Sequence, residues 1–257
     1  MLLGRTMSGK THSLRTLIAA GVTPFIVATE YPDVLLDVPK EKLHWHYVEP
    51  GRADWETLLD NAQKINLLSN EALQKLPGIN KDKYRQFFEI INVCKNFKCD
   101  RTGEAFGDAS TWGFDRALVI DHLTGLSIIA RDLAVGAKPI ITQPDWGVMM
   151  HNLEMFLNAC VTGTKCMFIL LAHVERETDE VAATSRIMAS TLGRKLAPKL
   201  PTFFSDIPFC RREGTTFTWD TSVTDIDVKW RNLPLNGKLP QDFGPLVQAW
   251  KQRAGIA

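Results

Sequence analysis

The sequence predicts an α/β fold: a mostly parallel central sheet flanked by helices, with a mixed or antiparallel extension at its C-terminal end. Three observations predict it. Short apolar runs of buried-strand type recur, at residues 24–28, 117–120 and 166–172. Segments of helical spacing separate them, and strands that alternate with helices pair in parallel through right-handed crossovers. A glycine-rich turn, residues 4–11, joins the strand stub Met1-Leu2-Leu3 to the helical spacing of Leu14, Leu17 and Ile18.

The elements follow in order. The first helix ends near Gly21, and the strand at 24–28 is closed by Thr29-Glu30-Tyr31-Pro32. Residues 43–48 predict another strand, and 55–68 a helix with Asp54 as its N-cap. Residues 69–113 are less regular, with Pro, Gly, Lys and two close cysteines, and read as an insertion packed on one edge of a single domain spanning 1–257. Order resumes with the strand Ala117-Leu118-Val119-Ile120-Asp121, then helices at 123–133 and 148–161, then the strand 166–172 ended by His173. Short strands at 207–210, 215–219 and 225–230 precede a terminal helix.

Bulk properties narrow the class. The 257 residues are 45% hydrophobic and 23% charged, enough for a large core without metal or disulfide support. A net charge of +1 confines any nucleic-acid site to a local basic patch. Five cysteines, an odd number, with no secretory leader are expected to be reduced thiols of a cytoplasmic protein. Apolar stretches are too short to span a bilayer, so no membrane partner is expected. Cys94 and Cys99 lack a second His/Cys pair at metal-ligand spacing.

Gly4-Arg5-Thr6-Met7-Ser8-Gly9-Lys10-Thr11 fits G-x-x-x-x-G-K-[ST] without a mismatch, and His12 follows it. Glycines let the backbone turn its N–H groups toward a phosphate, and the following helix adds its positive end. Lys10 is placed to reach the β- and γ-phosphates, and the Thr11 hydroxyl to join a Mg²⁺ shell. Chance alone gives this pattern in roughly one chain in a hundred of this length. The expected cofactors are therefore ATP and Mg²⁺. Only three residues precede Gly4, a short stub for the strand that carries such a loop, so either that strand is abbreviated or the true start lies upstream. Asp121 ends an apolar strand downstream, where a phosphate-loop fold holds the carboxylate that orders the Mg²⁺ waters. Glu30 and His173 end strands at the same predicted edge, where open α/β sheets bind ligands. A carboxylate at Glu30 can orient water and accept its proton, or cap the turn before Pro32. His173 can contact a γ-phosphate.

The order of these motifs resembles the RecA-like recombinase ATPases, and within them the phage single-strand annealing ATPases, across nearly the whole chain outside the insertion. The matching residues are the loop 4–11, Phe25-Ile26-Val27-Ala28-Thr29-Glu30, Leu118-Val119-Ile120-Asp121, and the strand before His173. The resemblance implies a RecA-like core, with Glu30 as the catalytic glutamate, Asp121 as the metal carboxylate and His173 as the γ-phosphate sensor. RecA has glutamine at that last position, so His173 is a departure. Residues 142–147, including Trp146, and residues 175–190, including Arg186, fall where that family has its DNA-facing loops. Arg194, Lys195 and Lys199 form a basic stretch behind the second. Lys229 and Arg231 resemble the spaced cations that reach the ATP of a neighbouring subunit, although spacing alone also fits a solvated edge strand. The implied activity is a DNA-stimulated ATPase that anneals or exchanges strands as a filament or ring, with single-stranded DNA and a single-strand-binding protein as partners. A small-molecule phosphotransferase and a helicase-type DNA motor are the alternatives. The first would need an arginine-rich lid, for which Arg211-Arg212 is a poor substitute.

Overall fold

The computed structural model describes residues 1–49, 51, 54–79, 81–179, 184–191, 195–223, 225–234 and 237–256. The chain runs β1 (Leu2–Gly4), α1 (Lys10–Ser13), α2 (Arg15–Ala19), β2 (Thr23–Ala28), β3 (His44–Tyr47), α3 (Trp55–Leu67), α4 (Asn70–Gln74), α5 (Gln86–Lys95), β4 (Phe97–Lys98), β5 (Ala105–Gly107) and β6 (Arg116–Asp121). It continues through α6 (Leu123–Val135), α7 (Gln143–Thr162), β7 (Met167–Ala172), β8 (Val174–Asp179), β9 (Thr184–Ala189), α8 (Leu200–Phe203), β10 (Phe209–Glu213), β11 (Thr216–Asp220), β12 (Lys238–Pro240) and α9 (Gly244–Arg253).

The main sheet has the order β12-β11-β10-β1-β7-β6-β2-β3. From β10 to β3 every pairing is parallel, and β11 and β12 extend the β10 edge antiparallel. The expected parallel sheet with an antiparallel C-terminal part is therefore present. Both faces are covered, and alternation along the strands divides the core. Phe25 and Val27 of β2, with Leu118 and Ile120 of β6, face the layer of α5, α6 and α7. Ile26, Ala28, Ala117 and Val119 face the layer of α2 and α9. Such strands read as continuous apolar runs because neither side meets water.

One expectation on elements is extended and three are corrected. Residues 98–100 of the 69–113 segment hydrogen-bond to the edge strand β3, and the segment also reaches inward: Phe87, Ile90, Val93, Phe97 and Trp112 share one buried cluster with Phe25 and Leu118. Their aromatic rings close on Phe25, with centroids 4.5 Å (Trp112), 4.8 Å (Phe106) and 5.3 Å (Phe97) away. The second helix of the middle region begins at Gln143, not 148, because Thr142 and Asp145 build its start. The Asp145 carboxylate accepts from both the Thr142 N–H and its hydroxyl at 2.8 Å. Pro144 fits the first turn, where its missing N–H costs nothing. Residues 175–190 are largely the antiparallel hairpin β8–β9 rather than a loop. Residues 225–230 make only isolated bridges, Ile226 to Ile187 and Lys229 to Ile207. There Asp206 captures the backbone N–H groups of Arg231, Asn232 and Leu233, which ends any ladder.

Candidate phosphate-loop site

Parallel strands place all their carboxyl ends on one edge of the sheet, and the register brings the singled-out residues level. Ala28 pairs with Asp121, Asp121 with Leu171, and Leu3 with Ala172. Gly4, Glu30, Asp121 and His173 thus emerge side by side from four neighbouring strands. Glu30, Asp121 and His173 border a cavity of about 360 Å³ lined also by Thr6, Met7, Ser8, Gly9, Lys10, Thr11 and His12.

The loop from Arg5 to Gly9 is a tight turn packed against the strand extension. Met7 and Gly9 have left-handed backbones, φ 59° and 88°. A Cβ at Gly9 would lie 2.4 Å from Gln241 Oε1 and 2.7 Å from the Phe217 ring, so only glycine fits. Gln241 also donates to the Ser8 carbonyl, tying the loop to the strand extension. Arg5, Thr6 and Met7 are exposed, whereas Ser8 is buried and its hydroxyl has no hydrogen-bond partner among the described residues.

Lys10 is buried, and its Nζ donates to the carbonyls of Gly4 and Arg5, each at 2.9 Å, with His173 Nδ1 at 3.4 Å. Burial lowers its pKa. The Thr11 hydroxyl donates to Asp121 Oδ2 at 2.8 Å. Burial raises the Asp121 pKa against the pull of that hydrogen bond. A hydroxyl beside a buried carboxylate is a hard oxygen pair, which suits Mg²⁺. Burial, followed by the Lys10 charge, pulls His173 down to about 4, so its imidazole is neutral near pH 7.

His122, which the sequence reading passed over, joins this group. Its Nε2 lies 2.9 Å from Glu30 Oε1, with the N–H off the line to the oxygen, and its ring meets that of His173 edge-on at 4.4 Å. The His122 contact is the leading cause that lowers the Glu30 pKa. Ligand atoms of Glu30, His122 and His173 all lie within 4.8 Å of one another, a spacing that invites a metal ion. The hydrogen-bond pattern argues otherwise. His122 Nδ1 accepts from the Gly125 N–H at 3.1 Å, which leaves the ring proton on Nε2, the atom a metal would need bare.

Two further residues were missed. Arg212, set aside as a poor lid, lines the same cavity and stacks its guanidinium 5.5 Å from the centre of the Phe217 ring. Phe217 lies near-parallel to His12 at 6.5 Å. Their one sequence signal was the apposition of cations and aromatics across the β10–β11 turn.

The remaining expected residues that the structure describes do not join this cavity. Trp146 is in the first turn of α7, partly buried against the core, so it is not a loop aromatic free to stack on a base. Arg186 pairs with Asp227, and Lys199 with Glu154. Lys195 is exposed, and Arg194 lies outside the described residues. Lys229 donates to the Pro201 carbonyl, and its backbone pairs with Ile207, which precedes β10. Arg231, held through its N–H by Asp206, is beside it. Both therefore lie at the amino edge of the parallel strands, opposite the glycine loop. No protein-family model matches the chain, and none of the curated proteins compared with it does.

Proposed function

We propose that this protein is a RecA-like, Mg²⁺-dependent ATP hydrolase that acts on single-stranded DNA as a homo-oligomer. The observation that carries the hydrolytic part is the convergence of Lys10, Thr11, Glu30, Asp121 and His173, from separate segments of the chain, on one cavity beside a glycine loop. Loop N–H groups and Lys10 would hold the β- and γ-phosphates. Thr11 and Asp121 would hold Mg²⁺, which when bound neutralises charge between those phosphates. Glu30 is held ionised and exposed to the cavity, the state a general base for water requires. His173, neutral and beside Lys10, is a donor or acceptor that can follow the γ-phosphate without adding charge.

The DNA and assembly parts rest on the sequence resemblance. The opposite-edge position of Lys229 and Arg231 favours their acting in trans, because they cannot reach the cavity of their own chain. A head-to-tail assembly would bring the amino edge of one copy to the phosphate loop of the next.

Steady-state ATP hydrolysis with and without single-stranded DNA tests the reading. Turnover should require Mg²⁺, rise with DNA, and vanish in Lys10→Ala. Glu30→Gln should retain nucleotide and lose about 10²-fold or more in turnover. Lys229→Ala with Arg231→Ala should lose turnover while the monomer still binds nucleotide. Failure of the wild-type chain to retain ATP would refute the hydrolase. Hydrolysis indifferent to DNA, with no DNA retention at low salt, would refute the recombination role and favour the phosphotransferase reading.

A further inference from the structure

We propose that His122 is a positioning residue for Glu30, with the N-terminal turn of α6 fixing the imidazole so that its Nε2–H is presented to the glutamate. The inference rests on reading Glu30 as the base of the hydrolytic site.

Three contacts hold the imidazole. The Gly125 N–H donates to Nδ1 at 3.1 Å, so His122 serves as N-cap of α6 in place of the usual Ser, Thr, Asp or Asn. The alternative tautomer, with its proton on Nδ1, would set donor against donor there. The His122 backbone N–H donates to Thr29 Oγ1 at 3.1 Å, and that hydroxyl donates to the Asp121 carbonyl at 3.2 Å. The edge-on ring of His173, 4.4 Å away, supports the imidazole from the side. A ring flip would cost the cap bond.

The side chain is 7% exposed, and its Nε2 has no hydrogen bond in line among the described residues. A buried donor left unmade costs free energy, so this N–H holds a standing preference for an acceptor. The nearest is Glu30 Oε1 at 2.9 Å, on a side chain 73% exposed. An exposed glutamate samples several rotamers, and ordering it costs entropy. The fixed Nε2–H selects the rotamer whose carboxylate faces the cavity, so one small turn about the Glu30 torsions completes a His122–Glu30 pair. The arrangement uses Gly125 as well: a Cβ there would meet Thr29 Oγ1 at 2.1 Å and push the α6 turn off β2.

The test uses the full chain in two arms. In the first, histidine-labelled protein is read by long-range nitrogen–proton NMR. The expected result is a single His122 tautomer, protonated on Nε2. A proton on Nδ1, or averaging between tautomers, overturns the proposal whatever the protein hydrolyses. The Glu30 carboxyl carbon should also shift in His122→Asn, and no shift overturns the coupling. In the second arm, His122→Asn keeps a cap for Gly125 and removes the donor to Glu30. The expected turnover is about 10- to 100-fold lower, with ATP affinity within about 3-fold of wild type. Placed in Glu30→Gln, the same substitution should lower turnover no further. Unchanged turnover, or losses that multiply, overturns the proposal. A wild-type chain that gives the Nε2–H tautomer and the Glu30 shift but no hydrolysis supports the pairing and sinks the hydrolase reading instead.

Discussion

Ionised Asp121 weakens the metal-free fold, because burial favours its neutral form. The folded carboxyl holds its proton to a higher pH than the unfolded one, so stability falls as pH rises above the ordinary carboxylate range. Asp121→Asn keeps a neutral acceptor for the Thr11 hydroxyl, 2.8 Å from the carboxylate, and removes the buried charge. In chelator at pH 7.5 this variant should be more stable by about 1 kcal/mol, read by chemical denaturation, and on the proposed function should bind Mg²⁺-nucleotide much more weakly. Lower stability in chelator would show the charge to be compensated. His173 has the complementary sign. With its pKa at about 4 in the fold and 6.5 in the unfolded chain, the unfolded state takes the proton first as pH falls. Stability present above pH 6.5 is therefore lost between about 6.5 and 4. His173→Gln should flatten that loss, measured as the denaturation midpoint at pH 7 against pH 5.

Among the elements, α6 is the one whose placement allows least freedom. Gly125 faces Thr29 across the β2–α6 contact with no room for a methyl group, so Gly125→Ala should cost about 1–3 kcal/mol and weaken the proposed nucleotide binding, checked by urea denaturation and titration. That contact was invisible in the sequence, where Gly125 is a small residue inside a helical pattern. The strands were legible because both faces are buried, which writes β2, β6 and β7 as apolar runs. Their shared carboxyl edge followed from parallel pairing, so Glu30, Asp121 and His173 could be grouped before any coordinates. His122 could not: its role depends on a cap bond to Nδ1, and histidine is an unusual cap. Trp146 was misplaced for a local reason, since Pro144, Asp145 and Gly147 suggest a turn while Thr142 and Asp145 build a helix start. Residues 225–230 alternate like a strand, yet Asp206, some twenty residues earlier, holds the backbone just beyond them.

At the scale of the whole molecule, Phe25 decides whether residues 69–113 are an appendage or part of the fold. Its ring touches Phe97, Phe106 and Trp112, which belong to that segment, and stacks on His44 of the neighbouring strand at 4.9 Å. The Arg116 guanidinium lies 5.3 Å from the same ring centre. A separable insertion would keep its own core and leave the sheet intact when loosened. Here the insertion covers the Phe25 part of a sheet face that α6 and α7 cover elsewhere, so the two should fail together. Phe25→Ala should cost about 3–5 kcal/mol, a large part of the roughly 5–15 kcal/mol typical of a native protein. Hydrogen exchange by mass spectrometry distinguishes the alternatives. If the segment is integral, amides of α5 and of β6 should lose protection by similar amounts in Phe25→Ala, with the glycine loop following because β1 and β2 flank β6 and β7 in one sheet. If α5 alone loosens while β6 keeps its wild-type protection, residues 69–113 are a subdomain docked on a self-sufficient sheet. A deletion of the segment would then leave the nucleotide binding proposed at Lys10 unimpaired, whereas an integral segment makes that deletion variant unable to fold.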